Sequence, residues 1–300
     1  LSIPVSEAVS DQITKDPSVV SQVWRALRRI MAEPLGAFGL ILVVMMIAGS
    51  VMADWLTIYE PTKISPRDRF QGASWNHLLG TDQLGRDLFS RVLHGGRIAL
   101  SVALFSTAAS LMIGIVLGLI AGYGPRWLDN LMLLVFDSIK SFPTVMLALA
   151  LVTLFGPSLT AVVVVVVLVN TPGYARIIRT QTLALKESEF VTAAQSMGAG
   201  TARILRVHIM PNVIGPLLIL ASMDIPVVIA IEAGMSFLGL GVRPPTPSWG
   251  AILNDGFTAI RDTAWIAIAG GLPIILTTLG FTFLGETMRD VFDPRLKRRG

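Results

Sequence analysis

Several stretches of this chain are apolar for as long as a lipid bilayer is thick, and that limits the folds open to it. A membrane-crossing helix needs about 20 mostly apolar residues. Residues 35–53 (LGAFGLILVVMMIAGSVMA) and 98–122 meet this requirement without a charge. The region 131–169 is too long for one crossing: at about 1.5 Å per residue it would reach nearly twice the hydrocarbon thickness. The break falls at FGPSL, 155–159, and predicts spans over 131–154 and 159–178. Residues 215–238 and 264–285 supply the fifth and sixth. The expected fold is an all-α membrane protein with six transmembrane helices. Composition agrees, with 53% hydrophobic and 15% charged residues, against about 25% charged in soluble domains.

Six crossings put both termini on one side. Arg25, Arg28 and Arg29 precede the first span, Arg176, Arg179, Lys186, Arg203 and Arg206 lie between the fourth and fifth, and Arg295, Lys297, Arg298 and Arg299 follow the last. The positive-inside rule assigns that side to the cytoplasm. Lys63, Arg67, Arg69, Arg86, Arg91 and Arg97 fall in the opposite, outer segment and weaken the bias. The expected organisation is a cytoplasmic segment 1–34 with an amphipathic helix over 18–33, a first span 35–53 and an outer segment 54–97. A five-helix core 98–288 and a basic cytoplasmic tail 289–300 follow. The first twenty residues, with Glu7, Asp11 and Asp16, lack the pattern of a secretory signal.

The net charge of +4 is modest and its basic residues cluster beside apolar spans, which argues for membrane orientation and against nucleic acid. There is no cysteine, so disulfide frameworks and thiolate metal or redox sites are excluded. His77, His94 and His208 have no metal-ligand spacing. Gly114, Gly118 and Gly122 recur every four residues, a pattern that lets two helix backbones approach closely. Pro143, Pro226 and Pro273 interrupt apolar stretches and predict kinks or broken helices.

The stretch 189–211, EFVTAAQSMGAGTARILRVHIMP, is polar where its neighbours are not. It predicts a helix over 188–197, a turn at Gly198 and Gly200, and a second helix over 202–209 capped by Thr201 and stopped by Pro211. Two readings stand: a helix pair shaped for a groove on a cytoplasmic partner, or an interfacial hairpin without one.

This stretch resembles the cytoplasmic coupling loop, the EAA motif, of ABC importer permeases. Ala193, Ala194, Gly198 and Pro211 fall in its register, and Thr192 stands where the motif has Glu, with Glu189 nearby. LGTDQLGRDLFSRVLHGGRIALSVAL (79–104) and EAGMSFLGLGVRPPTPSWGAIL (232–253) resemble segments of the dipeptide/oligopeptide/nickel branch, in its second, C-type permease. The resemblance implies a type I importer permease fold with a coupling loop over 186–212. Glu189, Thr192, Ala193, Ala194, Gly198, Ala199, Arg203 and Pro211 would meet an ATPase. It implies a second homologous permease, two ATPase subunits and an extracytoplasmic binding protein around a bacterial inner-membrane pathway. ATP and Mg would sit on the partners, since this chain has no GxxxxGK[ST] loop. The cargo implied is a di- or oligopeptide, with nickel chelates and opine- or sugar-like solutes as alternatives.

Charges within spans cost several kcal/mol unless paired or wetted. Asp137 and Lys140, three apart, are expected to pair on one helix face. Asp224, Glu232 and Met235 are candidates for lining the pathway, with a subunit interface open for Asp224 and a structural role for Glu232. An ion-coupled secondary transporter would need paired repeats around an acidic site, and no repeat is visible. A membrane hydrolase would need a nucleophile with its base, which the isolated histidines do not provide.

Overall fold

The computed structural model describes residues 19–292. The polar start 1–18 and the tail from 293 onward, with Arg295, Lys297, Arg298 and Arg299, lie outside them, as does the side chain of Arg25. Every regular element among the described residues is helical. α1 (Val19–Ala32) leads into α2 (Pro34–Val51) and the short α3 (Ala53–Leu56). An irregular outer segment then enters α4 (Leu88–Tyr123). α5 (Arg126–Ser141), α6 (Thr144–Phe155) and α7 (Leu159–Lys186) follow. The insert contributes α8 (Glu189–Ser196), and α9 runs from Thr201 to Phe237. α10 (Trp249–Thr258) and α11 (Trp265–Phe292) complete the chain.

Five helices, α2, α4, α7, α9 and α11, are long and apolar enough to cross a membrane, and the α5–α6 pair makes a sixth only if counted as one bent span. Over the span expected at 131–154, α5 and α6 meet at 92°, with Pro143, one of the prolines expected to kink or break a helix, at the break. Pro143 has no N–H to donate and disfavours helical backbone at Phe142, which is extended at φ −85°, ψ 132°. Pro172, Pro226 and Pro273 all lie inside unbroken helices, so of the three prolines expected to kink or break a helix only Pro143 breaks one. Between α6 and α7 the chain turns at Gly156, φ +75°, and Ser158 caps α7 by accepting the Ala161 N–H at 3.2 Å. The second span begins at Leu88, ten residues before the apolar run, because Asp87 caps it by accepting the Ser90 N–H at 2.7 Å.

Lipid offers no hydrophobic drive between helices, so association rests on close backbone approach and polar contacts. α4 meets α7 along Gly114, Gly118 and Gly122. A Cβ there would come within 2.6 Å of Tyr174 Cβ, 2.6 Å of the Ala175 carbonyl and 2.7 Å of Thr182 Cβ. α2 is held to α11 in the same way: a Cβ at Gly39 would come within 2.8 Å of the Gly280 carbonyl. The main core gathers Val92, Ala99, Val165, Ile229, Trp249 and Ile266, and Trp249 Nε1 donates to the Val92 carbonyl at 2.8 Å.

Two ion pairs tie α5 to α7: Arg179 donates to Asp129, its Nη2 reaching Oδ2 at 2.6 Å, and Arg176 donates to Asp137. The expected Asp137–Lys140 pair is therefore corrected. A guanidinium on a neighbouring helix reaches Asp137, and sequence spacing could not reveal it.

Gly118→Val should force α4 off α7 and cost on the order of 2–3 kcal/mol, read as a lower unfolding midpoint of the detergent-purified chain. Gly173→Ala, which meets nothing within 4 Å, should leave the midpoint unchanged.

Candidate functional site

The insert is built on a helix stop. α8 ends at Ser196 with Met197 as its C-cap, and Gly198 follows at φ +82°. The Gly198 N–H donates to the Gln195 carbonyl at 2.9 Å, and the Ala199 N–H to the Ala194 carbonyl at 3.0 Å. That pair of bonds is a Schellman cap, and it needs the left-handed conformation glycine adopts without strain. Ala194 and Ala199 are the two ends of the cap's customary apolar contact. Ala194 is buried, and Ala199 packs partly buried against a small core shared with the bundle.

That core fixes the insert to the bundle. Val191, Ile204, Ile209 and Val213 from the insert region join Leu111 of α4 and Tyr174 and Ile178 of α7. Gln195 Nε2 donates to the Tyr123 hydroxyl at 3.3 Å, and Lys186 Nζ donates to the Tyr123 carbonyl at 3.2 Å. The opposite face of α8 is free of the bundle: Glu189, Phe190, Thr192, Ala193 and Met197 are exposed, Met197 by 82%. Arg203 and Arg206 are exposed beside it. Thr192 Oγ1 donates to the Ser188 carbonyl at 3.2 Å within its own helix, while Glu189 lies one turn earlier on the same face.

Two details differ from the sequence reading. Gly200 caps the second helix and Thr201 is its first residue. Pro211 does not end that helix, which continues through it to Phe237. The turn before it, Ile204–Ile209, is π-helical, and the Met210 N–H donates five residues back to the Leu205 carbonyl. A proline removes one donor from the ladder, and a widened turn lets the helix absorb the loss. Asn212 Nδ2 adds a side-chain donor to the His208 carbonyl at 2.6 Å.

At the other end of the bundle lies a polar centre that sequence reasoning missed. Arg86 Nε donates to Asp82 Oδ2 at 2.7 Å and its Nη2 to Asp255 Oδ2 at 3.0 Å. Arg91 donates to the same Asp82 oxygen, and its Nη2 to Asp255 Oδ2 at 2.8 Å. Asp82 is fully buried and both arginines are buried. This quartet joins the start of α4 to α10, about 170 residues away in sequence. Arg97 donates to the Ser50 and Val51 carbonyls at 2.7 and 2.9 Å, closing the end of α2. With His94 it also holds Asp54 below the ordinary carboxylate range, so that contact is present above the lowered value and lost as pH falls through it. Arg86, Arg91 and Arg97, read as counter-evidence to the orientation, are thus fixed in ion pairs.

The pathway candidates separate. Glu232 is fully buried, its Oε1 accepting from Ser236 Oγ at 2.8 Å, and Met235 is buried in the main core; in this chain neither faces an open channel. Asp224 keeps partial exposure.

Residues 114–298 match the family model described as binding-protein-dependent transport system inner membrane component. The chain belongs to that family. Among its relatives, this permease is 36% identical over 294 residues to the dipeptide transport system permease protein DppC of Alkalihalophilus pseudofirmus, covering 98% of this chain and 95% of the relative. It is 39% identical over 287 residues to the glutathione transport system permease protein GsiD of Pectobacterium atrosepticum, covering 95% of each. The solved inward-facing MetNI methionine ABC transporter shares the fold at a TM-score of 0.54 and 19% identity, over 68% of this chain and 97% of that one. The permease is an integral inner-membrane protein of the type I ABC transporter fold.

Gly198→Val should strain the cap by roughly 1–2 kcal/mol and raise hydrogen exchange over 191–199, with Gly198→Asn intermediate. Because no atom lies within 4 Å of a Cβ at Gly198, equal exchange in all three would exclude a backbone cause. Arg91→Met should leave Asp82 under-paired and lower stability on the order of 3 kcal/mol. An unchanged thermal midpoint would contradict that.

Proposed function

We propose that this permease conducts di- or oligopeptides inward as one half of a translocation pathway, coupled through α8 to an ATPase subunit in the cytoplasm. The cargo reading rests on relatives named for dipeptide, glutathione and di/tripeptide transport. In this assembly a second homologous permease completes the pathway, two ATPase subunits bind ATP and Mg, and an extracytoplasmic binding protein delivers cargo. Both termini are cytoplasmic in this reading. Exposed Arg28, Arg29, Arg203 and Arg206 lie at the insert end, while the outer arginines nearest the spans are ion-paired.

One observation carries the coupling role. Phe190, Ala193 and Met197 form an exposed i, i+3, i+7 stripe on α8, while Val191 and Ala194 on its other side are buried in the bundle. An apolar stripe at that spacing is the pattern by which a helix enters a groove. Glu189 and Thr192 on the same helix, and Arg203 and Pro211 on α9, are exposed as well. A nucleotide-driven closure must favour one bundle state by a few kcal/mol to move such an equilibrium. α8 is the element that presents a rigid face for it.

Phe190→Asp together with Met197→Asp should abolish peptide uptake and co-purification of the ATPase, with the chain still inserted at normal abundance. Uptake should stop on ATP depletion and persist when ion gradients are collapsed. The reverse pattern would make the chain a secondary transporter.

A further inference from the structure

α1 is clamped to the bundle at its end. Glu33 is extended at φ −90°, ψ 123°, and the chain turns there into α2 at Pro34. A Cβ at Gly36 would come within 2.6 Å of both the Ile30 carbonyl and Thr287 Cγ2, so the turn packs α1 tightly against α2 and α11. Ile30 is buried. Because α2 is long and apolar enough to cross a membrane, α1 lies where that crossing begins, at the bilayer surface.

The side of α1 next to Ile30 is apolar and open. Trp24, Leu27 and Met31 recur at i, i+3 and i+7 and form one stripe. Trp24 is 65% exposed, Met31 is exposed and Leu27 is half-buried. Past the turn, α2 exposes Leu35, Phe38, Ile41 and Met45 on one face. At 3.6 residues per turn, Arg28 borders the stripe beside Trp24, while Arg29 lies across from it. Arg25, Arg28 and Arg29 are the charged residues of α1, and it carries no acid. Arg28 and Arg29 are exposed and make no ion pair among the described residues. Glu33 at the turn and Glu286 and Asp290 on α11 are also exposed and pair with neither, and Arg289 adds a cation on α11. A helix with Trp on an apolar edge and a cation beside it suits the boundary between acyl chains and acidic headgroups.

We propose that α1 is a docking surface for acidic phospholipid. Trp24, Leu27 and Met31 enter the boundary between acyl chains and headgroups, and Arg28 takes a lipid phosphate. The contact holds the turn at Glu33, and with it the packing of α2 on α11 at Gly36, to the membrane surface whatever the cargo.

The chain has no cysteine, so Leu27→Cys, Arg29→Cys and Met31→Cys can each carry a single spin label in the transporter assembled with cysteine-free partner subunits. The vesicles are phosphatidylcholine with or without phosphatidylglycerol. Collision with oxygen, which concentrates in lipid, is compared with collision with a water-soluble nickel chelate. Labels at Leu27 and Met31 should favour oxygen, and the label at Arg29 the chelate. Phosphatidylglycerol should raise the lipid-docked population seen at Met31 by about fivefold. Arg28→Gln should remove most of that gain, and Arg29→Gln should keep most of it. Equal chelate access at all three positions would place α1 in water, and protection of Leu27 and Met31 from both reagents would place a protein over the stripe. Either result overturns the docking, as does a phosphatidylglycerol gain that survives Arg28→Gln.

Discussion

The structure depends on one unbroken helix. α9 starts in the insert at Thr201 and ends at Phe237 on the far side of the bundle. Through Ile204, Ile209 and Val213 its first turns share a small core with α8, α4 and α7. A proline at position 211 would ordinarily separate insert from span. The π-helical turn at Ile204–Ile209 keeps them one body instead. With that turn in place, a push on α8 is a push on the bundle. If the helix were broken there, α8 would be a tethered appendage.

Around this helix the chain meets the demands of lipid in two ways. Where helices pass one another, glycines bring the backbones close: Gly114, Gly118 and Gly122 against α7, and Gly39 against Gly280. Several charges are matched across elements. Arg176 and Arg179 hold α5, in which Phe136 is the buried residue and which meets α6 at 92°. The Asp82–Arg86–Arg91–Asp255 quartet holds the outer segment to α10. A buried quartet of this kind is weak evidence for net stability, but it fixes the register between parts of the chain that share no sequence proximity.

Much of this was legible in the residues. Apolar length located five spans, and Gly198 with Gly200 located the insert and its turn. Local signals failed where the deciding partner was distant or where one residue type serves two outcomes. Nothing near Asp137 indicated Arg176, and nothing near Arg86 indicated Asp255. Prolines 143, 172, 211, 226 and 273 look alike in sequence. Yet only Pro143 breaks its helix: Pro172, Pro226 and Pro273 lie within continuous helices, and Pro211 follows the π turn. The Schellman cap gives the glycine of the motif a physical reason that motif matching alone did not supply.

The central claim is that the insert and the far end of α9 move together. Spin labels at Met197 and Leu238 of the assembled transporter would report it directly, Leu238 lying about 55 Å along α9 from its start at Thr201. The account predicts one narrow distance distribution that is the same with and without ATP, while the distance from Met197 to a label at Met52 on α2 shifts. A Met197–Leu238 distribution that broadens or moves on ATP binding would mean the helix bends at its π turn, and the rigid lever would have to be given up.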